Sequence, residues 1–200
     1  YNEKIEGDKQ NFNNGNVKSF GQNNKEDANH DNDDNDYDPH VWLSPLNAKK
    51  EMENIKNALI EADPDNKDYY KGNYEKYASE FDALDKEFRD AISNLPNKDI
   101  IVTHRAFGYL CSEYGLNQVA MEGLSPDSEP DPARMADIIK FAGEHGIKVI
   151  FFEEQANSKV ADTIAKEINV KTNVLNPLDK LSDARIKAGE DYFSVMRQNL

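Results

Sequence analysis

Four histidines and one cysteine stand in the 200 residues of this chain, which excludes a thiolate metal cluster and turns attention to imidazole and carboxylate donors. Several of these donors follow segments predicted as strands. His104 comes after Ile100-Ile101-Val102-Thr103, Glu153 and Glu154 come after residues 148–152, and Asp179 follows residues 171–175 through Asn176-Pro177-Leu178. Glu122 closes a further run at 118–121, and His40 lies apart on a rigid Asp38-Pro39-His40 turn ahead of Trp42. Two imidazoles with a carboxylate form a borderline-soft donor set that fits Zn²⁺ best, and Mn²⁺ next if more carboxylate joins. Each residue also has a plainer reading. A histidine after a strand is more often a surface or hydrogen-bonded residue, Asp179 suits a turn, and Glu153 suits a buried ion pair with Arg105 or a lysine. His145, before Gly146, sits where a helix dipole favours an imidazolium and is given no role. The pattern alone reads as an α/β domain with a candidate metal site.

The elements that must position these donors follow from rhythm and punctuation. Ser44 and Pro45 are a capping residue and a first helical residue, opening a helix that runs to about Glu61 and stops before Asp63-Pro64. Across 64–95 the apolar residues Tyr70, Tyr74, Tyr77, Phe81, Leu84, Phe88, Ala91 and Leu95 step by three and four, the stripe of one long helix of roughly 45 Å. Beyond Pro96 the rhythm changes to alternation. Strands are predicted near 100–103, 118–121, 148–152 and 171–175, with helices over 106–114, 132–145 and 158–168 and a last one from Ser182 or Asp183 to the end. Alternating strands and helices predict an α/β fold, a four-stranded parallel sheet flanked by helices. Ligands of such sheets bind outside the carboxyl ends of the strands, where His104, Glu153 and Asp179 fall.

Composition excludes some classes. The net charge of −14 argues against nucleic acid as a partner, because phosphates require Lys and Arg. Cys111 lies in an apolar stretch and reads as a small core residue. Residues 1–36 are rich in Asn, Asp, Lys and Gly and predict a mobile loop, since so few apolar side chains cannot offset the entropy of ordering it. Its end, from Asn29-His30 to Asp36, is either a solvated acidic loop or a weak cation-gathering arm. The chain opens at Tyr1 without a signal peptide and reads as a fragment or processed form.

Four blocks carry a family resemblance. Asp38-Pro39-His40-Val41-Trp42-Leu43-Ser44-Pro45 resembles the D-P-H-x-W-x-S-P motif of the metal-specific solute-binding proteins of ABC transporters, the zinc and manganese receptors. Val102-Thr103-His104-Arg105-Ala106-Phe107-Gly108-Tyr109-Leu110 is similar to the family's H-x-A-F-x-Y-L block. Ile150-Phe151-Phe152-Glu153-Glu154-Gln155 and Leu175-Asn176-Pro177-Leu178-Asp179 resemble its strand-ending acidic block and its N-P-L-acid turn. The blocks occur in family order and the likeness covers 37–200.

The resemblance implies two α/β lobes joined by a rigid helix with metal in the cleft between them. On that pattern 37–63 is the end of the amino-terminal lobe, 64–95 the connecting helix and 96–200 the carboxy-terminal lobe. It implies the ligands His40, His104 and Asp179, with Glu153 orienting a histidine and a further histidine supplied by an amino-terminal lobe outside this chain. The function it implies is an extracytoplasmic receptor, periplasmic or lipid-anchored, that delivers zinc to a membrane permease, with a manganese receptor or a surface adhesin as alternatives. A zinc hydrolase also uses two His, one acid and an open position, but no H-E-x-x-H or comparable helix-borne motif is present.

Overall fold

The computed structural model describes residues 37–121, 132–153 and 159–200. The expected loop over 1–36 with His30, the turn-rich stretch 123–131, Glu122, Glu154 and the helix start at Ser158 lie outside these residues.

Four short strands form the centre: β1 (Asp99–Val102), β2 (Asn117–Ala120), β3 (Val149–Phe152) and β4 (Lys171–Val174). All pairings are parallel and the spatial order is β2-β1-β3-β4. Each predicted strand exists within a residue or two of its expected position: β1 and β3 are apolar runs, whereas β2 and β4 are half polar and lie at the edges of the sheet. Adjacent residues on β1 point to opposite faces, as a pleated strand requires. Ile101 packs with Ile138, Phe141 and Ile164 of α4 (Pro132–Glu144) and α5 (Lys159–Glu167), whereas Val102 packs with Leu84, Phe88 and Leu110 of α2 (Lys67–Ser93) and α3 (Gly108–Tyr114). The sheet is thus covered on both sides, and its carboxyl edge is left as the place where polar side chains collect.

α1 (Pro45–Ala62) begins as its sequence dictates: the Ser44 side chain accepts a hydrogen bond from the Asn47 amide at 3.3 Å, with Pro45 in the first turn. Such a cap contributes about 1 kcal/mol. A single 3₁₀ turn at Pro64–Asn66 links α1 to α2, and the two pack as a helical hairpin. α2 has 27 residues, hence a length of about 40 Å. Its buried stripe is Phe81, Leu84, Phe88 and Ile92 rather than the full predicted series. Ala91 is exposed, because a helix turning about 100° per residue drifts away from a strict three-four alternation, and Leu95 is exposed beyond the end of the helix. Tyr77 is also exposed and Tyr70 and Tyr74 are half-buried beside α1, where the Tyr70 hydroxyl donates to Asp63 Oδ2 at 2.8 Å.

The single carboxy-terminal helix expected from 182 onward is instead two. α6 (Asp183–Lys187) is capped by Ser182, and α7 (Tyr192–Asn199) is opened by a capping box of Asp191 with Ser194. Gly189 between them has φ +80°, a left-handed conformation that a helix cannot contain and that glycine adopts without steric cost. The break turns α7 back to seal the core with Val195 and Met196, both fully buried.

Candidate metal centre

His40 leaves the Asp-Pro turn at the head of a 3₁₀ turn, Val41–Leu43. Asp38 Oδ1 accepts both the His40 backbone N–H at 3.0 Å and the ring Nδ1–H at 2.7 Å. A carboxylate only accepts, so in the neutral ring this pairing places the proton on Nδ1 and the lone pair on Nε2. Pro39 between them fixes the local backbone and keeps the two groups in register.

His104 enters from the carboxyl end of β1, one residue past Thr103. It is 1% exposed, and its Nδ1 is hydrogen-bonded to Glu153 Oε1, at the carboxyl end of the neighbouring strand β3. The Thr103 hydroxyl donates to the same Glu153 oxygen at 3.2 Å. The lone pair of His104 is thereby assigned to Nε2 in the same way as that of His40. Among the described residues no ion pair joins Arg105 to Glu153, so the plainer reading of Glu153 gives way to its role beside His104. The two imidazole rings meet edge to face, with centroids 5.3 Å apart, and Trp42 packs against His40 at 5.5 Å.

Asp179 arrives from the turn after β4. Its Oδ1 stands 3.8 Å from His40 Nε2. In a neutral His40 ring with its proton on Nδ1, the Nε2 lone pair faces that carboxylate oxygen, and a cation between them would serve both. Two tetrahedral zinc ligands at the usual bond lengths lie about 3.4 Å apart. One donor atom from each of His40, His104 and Asp179 falls within 4.8 Å of the others, the one such grouping among the described residues. Desolvation raises the Asp179 carboxyl above the usual range, partly offset by its attraction to His40 and His104. When both rings are deprotonated, the arrangement offers two nitrogen donors and one oxygen donor.

His145 lies at the other end of the sheet, where its Nδ1 pairs with Asp99 Oδ2 at 2.6 Å and its ring stacks on Phe141. Cys111 is buried in the core, and burial pushes its thiol up to about 12.

The chain matches the family model described as zinc-uptake complex component A, periplasmic (ZnuA), over residues 3–200. The chain belongs to this family. Among relatives of this ZnuA family, the high-affinity zinc uptake system protein ZnuA of Bacillus subtilis (strain 168) is 50% identical over 163 residues, 82% of this chain and 51% of that protein. The solved Zn(II)-bound ZnuA-like domain of Streptococcus pneumoniae AdcA is 44% identical with a TM-score of 0.71, covering 82% of this chain and 61% of that one. The laminin-binding protein Lmb of Streptococcus agalactiae, described as bifunctional with adhesin and metal-transporting activity, is 33% identical with a TM-score of 0.75, covering 82% of this chain and 62% of that one. The chain thus spans about half the length of the Bacillus relative.

Two further residues contribute to the candidate site. Asp38 was legible as an Asp two residues before a His, the spacing of a side chain that bonds its own backbone two residues on. Gly108 was less so. A β-carbon there would lie 2.8 Å from Asp38 Oδ2, so the helix α3 reserves that space for the carboxylate that holds His40.

Proposed function

We propose that this chain is the metal-holding part of an extracytoplasmic zinc receptor that hands its cargo to an ABC permease and performs no chemistry of its own. The observation that carries the reading is the convergence of His40, His104 and Asp179 at the carboxyl edge of the sheet, with each imidazole held by its own carboxylate. Zinc is the cargo and these three are its ligands here. Asp38 and Glu153 fix tautomer and ring direction, so little ordering remains to be done when the ion arrives. A receptor needs that preorganisation but also needs release, and the half-exposed Asp179 is the ligand through which the ion enters and leaves. Residues 37–63 and 96–200 belong to two lobes, α2 connects them, and the part of the full-length protein outside this chain supplies a fourth donor. The protein is periplasmic or held at the membrane by a lipid. Membership in the ZnuA family supports the zinc reading over manganese, as do two imidazoles in a small site. Adhesion, by likeness to the Streptococcus agalactiae protein, is a second role compatible with the same site.

Competition titration of this chain with Zn²⁺ and Mn²⁺ tests the assignment. Tighter zinc binding is expected; tighter manganese binding overturns the cargo, and hydrolysis of ester, peptide or phosphoester substrates by the zinc-loaded chain overturns the absence of chemistry.

A further inference from the structure

The turn that carries Asp179 is held from outside at three backbone groups and from within at a fourth. The Asn176 N–H donates to Asn199 Oδ1 at 2.8 Å, and Asn199 Nδ2 donates back to the Asn176 carbonyl at 2.8 Å. The Trp42 indole donates to the Pro177 carbonyl at 2.8 Å, and the Tyr192 hydroxyl donates to the Trp42 carbonyl at 2.7 Å. The Leu178 N–H donates to Asn176 Oδ1 at 2.8 Å. Leu178 itself has φ +59°, a left-handed conformation that is unfavourable for a residue with a branched side chain and persists only where its surroundings over-determine it. Asp179 follows immediately, with its side chain 42% exposed and 3.8 Å from His40.

We propose that Asn199, at the end of α7, is a positioning residue for the metal, acting through the Asn176–Asp179 turn. The inference rests on the reading of Asp179 as a ligand. A side-chain amide presents an acceptor and a donor side by side, as a backbone peptide does. Asn199 therefore takes the place of a neighbouring strand at the residue where β4 has ended and the ligand turn begins. The reciprocal pairing fixes which end of the amide is oxygen, since an N–H and a carbonyl need opposite partners. With Asn176 anchored, its own side chain is free to hold the Leu178 amide, and the left-handed residue directs Asp179 toward His40. Trp42 joins the same brace to the segment that carries His40, so the two ligands are positioned against each other through backbone groups rather than through their own side chains. An aspartate at 199 keeps the acceptor for the Asn176 N–H but sets a second oxygen against the Asn176 carbonyl, so it serves no better than alanine.

The test is a set of five proteins: wild type, Asn199→Ala, Asn199→Asp, Asp179→Ala and the Asn199→Ala/Asp179→Ala double variant. Zinc affinity is read against a competing chelating indicator, Co²⁺ absorption reports ligand geometry, and metal-free thermal unfolding reports the fold. Asn199→Ala and Asn199→Asp are expected to weaken zinc binding by about 10-fold or more, to change the Co²⁺ spectrum, and to add little to the loss already caused by Asp179→Ala. Wild-type zinc affinity in either single variant overturns the proposal. So does an equal further loss when Asn199→Ala is placed on Asp179→Ala, which marks a general effect on the fold. If Asn199→Ala does not fold, Asn199→Asp decides by the same criteria, and loss of folding in both overturns the proposal in favour of a structural role. If Asp179→Ala binds zinc as wild type does, the ligand assignment itself is wrong, whatever Asn199 does.

Discussion

The sheet carries a histidine–carboxylate pair at each end. His104 with Glu153 stands at the carboxyl edge and His145 with Asp99 at the amino edge. Both rings are bonded through Nδ1, so the pair alone does not make a metal site. Three things differ. His104 is 1% exposed where the His145 side chain is 39% exposed. Glu153 is supported by Thr103, whereas Asp99 also takes the Asn117 amide and joins the turn chemistry around Asn97 and His145. Above all, a second imidazole and a second acid converge on His104, and none does so on His145 among the described residues. Parallel strands explain part of the asymmetry: their carboxyl ends bring His104, Glu153 and Asp179 to one edge, and the turn ahead of α1 adds His40 to it.

Substitutions at the two ends break this comparison in a definite order. His104→Ala is expected to have the largest effect, a loss of zinc affinity beyond about 100-fold in calorimetric titration, because two remaining donors cannot complete a tetrahedral site. Glu153→Gln keeps a hydrogen-bond acceptor but removes the charge that holds Nδ1–H, and zinc affinity should fall by about 10–100-fold. Gly108→Ala places a methyl group where Asp38 Oδ2 lies, turns that carboxylate away from His40 and costs about 10-fold in affinity; the cost should vanish in an Asp38→Ala background.

Acidification sharpens the same contrast. Zinc requires deprotonated ligands, so affinity should fall by about 10-fold or more between pH 7 and pH 5 as protons compete for imidazole. Asp179 extends the loss, since desolvation holds its proton to higher pH than an ordinary aspartate. For the metal-free fold the sign is opposite. A carboxyl raised in the folded state favours folding while it is protonated, and that contribution is lost as pH rises through its range. Asp179→Asn should therefore weaken zinc binding while raising the metal-free unfolding temperature slightly at neutral pH. His145→Ala should have the smallest effect: unchanged zinc affinity and at most about 1 kcal/mol of stability, as for a surface ion pair.

Much of this was legible in the sequence because it is written in local signals. β1 and β3 are largely branched or aromatic apolar runs, Ser44-Pro45 opens α1, and His104, Glu153 and Asp179 each fall past a strand. The break between α6 and α7 was also written there, in Gly189 and the capping pair Asp191 and Ser194, but the apolar rhythm around it masked the signal. The shift from Ala91 to Ile92 needed the true helical pitch rather than a three-four count. The pairing of Asn199 with Asn176 spans 23 positions and follows no period, so only the tertiary fold reveals it. What local patterns cannot encode is which distant amide will stand in for a missing strand.

The central claim is that His40, His104 and Asp179 meet on one zinc ion. A crystal structure of the zinc-loaded chain, with the ion located by anomalous scattering at the zinc edge, tests it most directly. The expected result is one ion with nitrogen from His40 and His104 at about 2.0–2.1 Å and oxygen from Asp179 at about 2.0–2.2 Å. An ion held instead beside His145 and Asp99, or one that leaves Asp179 unbound while His40 and His104 coordinate it, would contradict the account.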